Sequence, residues 1–416
     1  MATWIAVFDD EAQKDACVRA LRALPDGDSR VHIARESIIA PVIVLESLEK
    51  RDGLVSLIRE GLQDRVEGKP FTLEPDVPFT LCTIQARAML NVDVADLSIY
   101  GPFDGDGVTV AIVDGGIDDT HADLAGKVVG RWKGSAISAP IDAGHGTMIA
   151  GLVCGSGQCS NEKHAGMAPS ATLLDCIAFD GAGHGWLSDI IGALEFAALH
   201  GAKVACMAFT SNNPLEGKKT LETIMKTLHD ERGVILCCGT GNGGMGGKIG
   251  MPGASQLPIT VASTTRSSVA PFSTRGSHGE RQPDLALPGQ GIISANVFTS
   301  PFKDEPLDEN EYYAKFSGNS VSIALLTGLV VKILSVRELD PPAIKRVLID
   351  SCVPVKGATR RDAGAGIPDI EALFTMLKSF FPVKNTPFGV SKNSSAIALV
   401  LTFTIFAFAL MIGSFL

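Results

Sequence analysis

VTVAIVDGGIDDTHADL, residues 108–124, is an apolar, β-branched run that stops on an acid and breaks into a glycine pair. A strand with apolar side chains on both faces belongs inside a sheet that is covered on both sides. Similar runs follow at Ala171–Phe179, Lys203–Phe209, Val234–Gly239 and Ile259–Ser263. Segments with helical patterning lie between them: Gly146–Cys154, Trp186–His200 and Thr220–His229. This alternation predicts an α/β fold, a parallel sheet with helices on both faces, over residues 82–378. Such sheets carry their sites at the carboxyl ends of the strands, which is where Asp114 stands.

Residues 1–81 have a different rhythm. Strand-like runs at Trp4–Phe8, Val31–Ser47 (two runs) and Phe71–Leu73 enclose helical patterns at Glu11–Leu24 and Leu54–Leu62. The order β-α-β-β-α-β predicts a small α+β open-faced sandwich. Beyond a polar linker, residues 379–395, the run AIALVLTFTIFAFALMIGSFL at 396–416 has no charged residue. A helix of that length spans about 30 Å, the thickness of a bilayer core, so a C-terminal transmembrane helix is expected.

Composition narrows the function. Of 416 residues 45% are apolar and 20% charged, as in a globular chain, and the net charge is −10. No basic run offers a surface for nucleic acid, which is not expected as a partner. Most of the nine cysteines lie in apolar runs, as buried thiols of a reducing compartment do. Cys154 and Cys159 share a glycine-rich loop, where a local disulfide or metal pair is an open alternative. The N-terminus has no secretory pattern, so a tail anchor with a cytosolic catalytic region is expected. The competing readings are a GPI anchor, for which Asn393-Ser394-Ser395 offer small residues, and a secretory-pathway membrane.

Four residues stand in chemically suggestive settings. Asp114 ends a buried strand, where a carboxylate needs a partner; alone it is also compatible with a helix cap or a loop acid. His145, in DAGHGTMIAGLV, is flanked by glycines at a helix start, where the dipole favours a neutral imidazole; a structural histidine reads the same way. His121, His164, His184 and His200 lack that setting. Ser320, in KFSGNSVSIALLTG, opens a long apolar helix, as an ordinary N-cap serine also would. Asn242, in VILCCGTGNGGMGG, sits on a glycine-rich turn that could present an amide to an oxyanion or merely tolerate left-handed geometry.

Taken together and in order, these segments resemble the subtilase family over about 270 residues. VTVAIVDGGIDDTHADL resembles its Asp motif, GHGTMIAG its His motif, GTGNGG its oxyanion Asn motif and SGNSVSIALLTG its Ser motif. MPGASQLPITVAST and APFSTRGSHGERQPDLALPG resemble the connecting segments. The resemblance implies a serine endopeptidase acting on polypeptides, with Asp114, His145 and Ser320 catalytic and Asn242 in the oxyanion hole. It also implies that Gly183, His184 and Gly185 form one substrate-binding strand and Ala208, Phe209 and Thr210 the other. Gly250 would then close the S1 pocket, leaving room for a large apolar side chain.

Residues 1–81 resemble the family's inhibitory propeptide, which implies a zymogen inhibited by its own N-terminal region and cleaved near residue 82. Calcium is common in the family, but Asp123 is the sole loop ligand recognised, so no cofactor is expected. Several positions depart from the motifs. Asn319, Val321 and Ala324 stand where Thr, Met and Pro are usual, Gly115 follows the Asp, and Ala208 replaces a frequent Ser. These departures keep open a second class of function, a peptide-binding pseudoprotease without turnover. A signalling protease with one membrane-presented partner is a third reading.

Overall fold

A computed structural model describes residues 2–22, 31–48, 50–62, 71–81, 104–135, 137, 143–211, 215, 217–277, 283–301, 303–307 and 310–380. Met1–Leu377 forms one compact unit and Lys378–Leu416 another. The expected membrane-spanning run 396–416 and the segment around residue 82 lie outside the described residues.

The first four strands are β1 (Ala2–Val7), β2 (Val31–Glu36), β3 (Val42–Ser47) and β4 (Thr72–Pro75). They form an antiparallel sheet in the order β2-β3-β1-β4. Helices α1 (Glu11–Arg22) and α2 (Arg51–Leu62) share one apolar core with it, in which Ala6, Phe8, Ile43 and Leu45 meet Cys17, Leu54 and Ile58. The alternate residues Ile5, Val7, Val42 and Val44 belong to a second core with Leu187 and Ile190 of the following region. Both faces of this sheet are therefore covered, which is why β3 is apolar almost throughout.

The larger sheet contains β6 (Thr109–Asp114), β7 (Val128–Lys133), β8 (Thr172–Ile177), β10 (Val204–Cys206), β12 (Ile235–Gly239), β13 (Ile259–Thr264) and β14 (Leu285–Pro288). All seven strands run parallel in the order β14-β13-β12-β10-β6-β8-β7. On one face lie α3 (Gly144–Cys154) and α6 (Asn319–Val336); on the other lie α4 (Leu187–Leu199) and α5 (Lys218–Lys226). Helix α6 has the length and hydropathy of a membrane span, but 83% of it is buried inside the protein. It is a core helix, apolar on all sides because protein surrounds it.

Sequence patterning and structure differ at several strands. The run Lys203–Phe209 is not one strand. After Met207 N–H bonds Cys237 O, the chain leaves the parallel sheet, and Phe209–Ser211 becomes β11 of a separate antiparallel sheet. Strand β7 escaped prediction because its residues alternate between half-buried and exposed at the edge of the sheet. None of the eight described cysteines is in a disulfide, Cys154 and Cys159 included. Burial pushes the Cys154, Cys206 and Cys238 thiols up to about 12.

The N-terminal region supplies what two helices of the larger unit lack. The N-cap positions of α4 and α5 are Trp186 and Gly217, and neither gives a side-chain cap. Asp76 accepts Ser188 N–H at 2.9 Å and Ser188 Oγ–H at 2.6 Å. Glu74 accepts Thr220 N–H at 2.9 Å and also its hydroxyl. Carboxylates placed there satisfy orphan donors and lie against the positive ends of the helix dipoles. Replacing Asp76 or Glu74 by Ala should each lower the unfolding free energy of the full chain by about 1 kcal/mol, measured by urea denaturation. An unchanged midpoint for both would show that the caps carry no stability.

Candidate active site

Asp114 is the last residue of β6, at the carboxyl edge of the sheet. Its carboxylate accepts the N–H of Gly115 at 2.7 Å. His145 is the second residue of α3, and its Nδ1 lies 2.9 and 2.8 Å from the two Asp114 oxygens. An ionised carboxylate only accepts, so Nδ1 carries the proton and Nε2 presents its lone pair. Ser320 Oγ is 3.0 Å from that Nε2. All three side chains are buried. Ser320 is not the cap of its helix: α6 starts at Asn319, its N-cap is Gly318, and Gly318 adopts φ 148°. A left-handed backbone there favours glycine and swings the chain from the strand Asn310–Phe316 into the helix.

The approach of α3 to β6 depends on a missing side chain. A Cβ on Gly146 would sit 2.2 Å from Gly116 O. The loop after Asp114 is held from three sides. Ile117 N–H donates to Asp175 Oδ2 at 3.2 Å, Asp118 N–H to Thr147 Oγ1 at 2.8 Å, and Arg131 to Ile117 O at 3.1 Å. Arg131 Nε also pairs with Asp175 Oδ2 at 2.7 Å. Burial raises the Asp175 carboxyl to about 6, against the opposing pull of Arg131. The residue lines a cavity of about 530 Å³ with Gly116, Asp118 and Asp119. An acid inside LLDCI was the available signal for this anchor, and motif reading passed over it.

Asn242 follows β12 on a turn in which Gly241 adopts φ 86°. Its Oδ1 accepts Asn319 N–H at 2.8 Å, and its Nδ2 is buried with no hydrogen-bond partner among the described residues. A buried, unengaged amide donor fits an acceptor that arrives only with a ligand.

The segments around His184 and Phe209 form short strands. β9 (His184–Trp186) and β11 flank β5 (Pro78–Leu81) in a three-stranded antiparallel sheet. Leu81, Thr80 and Phe79 lie opposite Phe209, Thr210 and Ser211; Thr80 and Phe79 also face His184 and Gly185. Gly183, at φ 79°, precedes β9, and buried Ala208 precedes β11. A Cβ on Gly250 would meet Ser211 O at 2.1 Å, so this glycine packs directly on β11.

A family model described as the subtilase family matches residues 105–369. The chain belongs to the subtilase family. It is 30% identical over 302 residues to serine protease AprX of Bacillus subtilis (strain 168), a match spanning 64% of this chain and 66% of that protein. Thermitase of Thermoactinomyces vulgaris is 31% identical over 54% of this chain and 74% of its own length. The major intracellular serine protease of Bacillus subtilis (strain 168) is 29% identical over 56% and 70%. The fold of fervidolysin from Fervidobacterium pennivorans, 19% identical, superposes with TM-score 0.64 over 90% of this chain and 61% of that one. The chain thus spans just under two thirds of AprX and of fervidolysin.

The remaining candidate residues have structural partners. His121 Nδ1 accepts Asp123 N–H at 3.2 Å, which leaves Nε2–H to donate to Tyr312 O at 2.9 Å. The Asp123 carboxylate accepts Cys159 N–H at 3.1 Å and Tyr313 Oη–H at 2.5 Å. His164 packs edge-on against Tyr313, and His200 stacks on Phe196. His184 lies on exposed β9, 3.9 Å from Asp180.

Asp175 generates a pH prediction. Its carboxyl titrates near 6 when folded against an ordinary 3.8, so the folded state holds its proton more tightly. Its contribution to stability is complete below about pH 4 and is lost as pH rises through about 6. Asp175→Asn should therefore flatten the stability profile between those values relative to wild type, followed by denaturant unfolding at each pH. Parallel profiles would show that Asp175 does not titrate in this window.

Proposed function

We propose that the chain hydrolyses internal peptide bonds through Ser320, with His145 as general base, Asp114 as the orienting carboxylate and Asn242 as an oxyanion donor. The observation that carries this reading is the continuous hydrogen-bonded line from Asp114 through His145 to Ser320. His145 Nε2 takes the hydroxyl proton as Oγ attacks the carbonyl carbon, and Asp114 stabilises the imidazolium. The carbonyl oxygen gains the electron pair, and the Nδ2 of Asn242 is placed to donate to it. Collapse expels the amine with the proton from His145 and leaves an acyl ester on Ser320. Water then repeats the sequence and releases the acid.

In the same proposal residues 1–81 are an intramolecular inhibitor joined to a catalytic domain over 82–378. The support is β5, which fills the gap between the two strands expected to hold substrate, pairing with both through its backbone. Cleavage just beyond Leu81 would leave that strand bound as a product. We further propose attachment to a membrane through 396–416, with the catalytic domain on the cytosolic side; its support is the uncharged 21-residue run. Deleting that run should move the protein to the soluble fraction without loss of activity on a short peptide.

The main test is direct. The wild-type chain should label with a fluorophosphonate and, on incubation, yield a new N-terminus near residue 82. Ser320→Ala should do neither, and Asn242→Ala should lower kcat about 10²–10³-fold. A wild type that binds peptides yet neither labels nor turns over would make it a pseudoprotease.

A further inference from the structure

Asn319 stands immediately before Ser320 and is fully buried. Its backbone N–H and both ends of its carboxamide are engaged with the turn that carries Asn242 or with the neighbouring strand. Its backbone N–H donates to Asn242 Oδ1 at 2.8 Å. Its Oδ1 accepts the N–H of Gly241, the residue before Asn242, at 2.8 Å. Its Nδ2 donates to Val261 O at 3.0 Å and to Ser263 Oγ at 2.9 Å, both on β13. The Ser263 hydroxyl is in turn bonded to Ser322 at 2.9 Å, one turn into the same helix.

These bonds have a directional consequence. With Oδ1 of Asn242 accepting from the Asn319 backbone, the amide can face only one way, with its Nδ2 outward. The Asn319 carboxamide fixes the same turn from beneath by holding Gly241. Room for that carboxamide exists only because residue 239 has no side chain. A Cβ on Gly239 would lie 1.9 Å from Asn319 Oδ1 and 2.7 Å from its Cγ. Gly239 and Asn319 are thus matched in size: a small residue ends β12 where a long one enters from α6.

We propose that Asn319 is a positioning residue for the oxyanion amide. Its carboxamide ties the Asn242 turn to the helix bearing Ser320, in a fit that requires glycine at 239. The inference rests on the proteolytic reading above. Asn319 touches no substrate; it acts through Asn242, by keeping Nδ2 at the place where negative charge develops. An amide that wanders by an ångström loses most of its value as a preorganised donor.

The experiment is a double-mutant cycle on the full chain with a chromogenic peptide. Asn319→Ala should lower kcat about 10–100-fold with KM changed less than about twofold, since the interaction it supports is made in the transition state. In an Asn242→Ala background the same substitution should cost less than about threefold, because the donor it positions is gone. Urea unfolding of each variant separates a loss of kcat from a failure to fold. Gly239→Ala should lower kcat, and adding Asn319→Thr should restore part of it by relieving the overlap. The proposal is overturned if Asn319→Ala keeps wild-type kcat, or loses as much with Asn242 absent as with it present, the mark of a merely structural role. A wild type without turnover would instead sink the proteolytic reading.

Discussion

The two hydrogen bonds of the His145 imidazole are the constraint on which the rest of the arrangement turns. They join a strand end, a helix start and a second helix start, separated along the chain by 31 and 175 residues. Such bonds tolerate only a few tenths of an ångström of error. The sheet and the two helices on its one face must therefore pack as a rigid body. Gly146 lets α3 settle against Gly116 O, and Ser294 Oγ donates to Met148 O of the same helix at 2.8 Å. The apolar surroundings of α6 keep the serine-bearing helix from sliding.

Burying acids in this fold creates an electrostatic problem that is answered locally. Asp114 has His145 and the Gly115 amide. Asp175 has Arg131 and the Ile117 amide, although one of its oxygens has no hydrogen-bond partner among the described residues. Asp123 is held by the Tyr313 hydroxyl, and Asp284 by Lys345 at 2.9 Å. Desolvation still dominates at Asp175 and Asp284, whose carboxyls are raised. Paired acids of this kind favour a defined arrangement more than they favour stability.

Much of this was legible in the sequence because strong local signals agreed with the fold. Doubly buried strands such as β6 and β12 are apolar throughout, and glycines mark where backbones touch. The order of Asp114, His145, Asn242 and Ser320 carried what no single one of them did. Less legible were features decided by distant partners. β7 and β14 are short or alternating, and sheet position rather than propensity makes them strands. Asn319 reads as a departure from a motif, and its fit beneath the Asn242 turn is seen only once Gly239 is brought beside it. The caps from Glu74 and Asp76 join residues over a hundred positions apart, beyond any capping pattern in sequence.

The cysteine-lined core has a practical corollary. Burial holds the Cys154, Cys206 and Cys238 thiols in their protonated, unreactive form at neutral pH, and they are shut away from reagents. Alkylation at these positions must therefore wait for the sheet to open. The rate at which each of these cysteines takes up a maleimide would clock that opening with no residue substituted to report it.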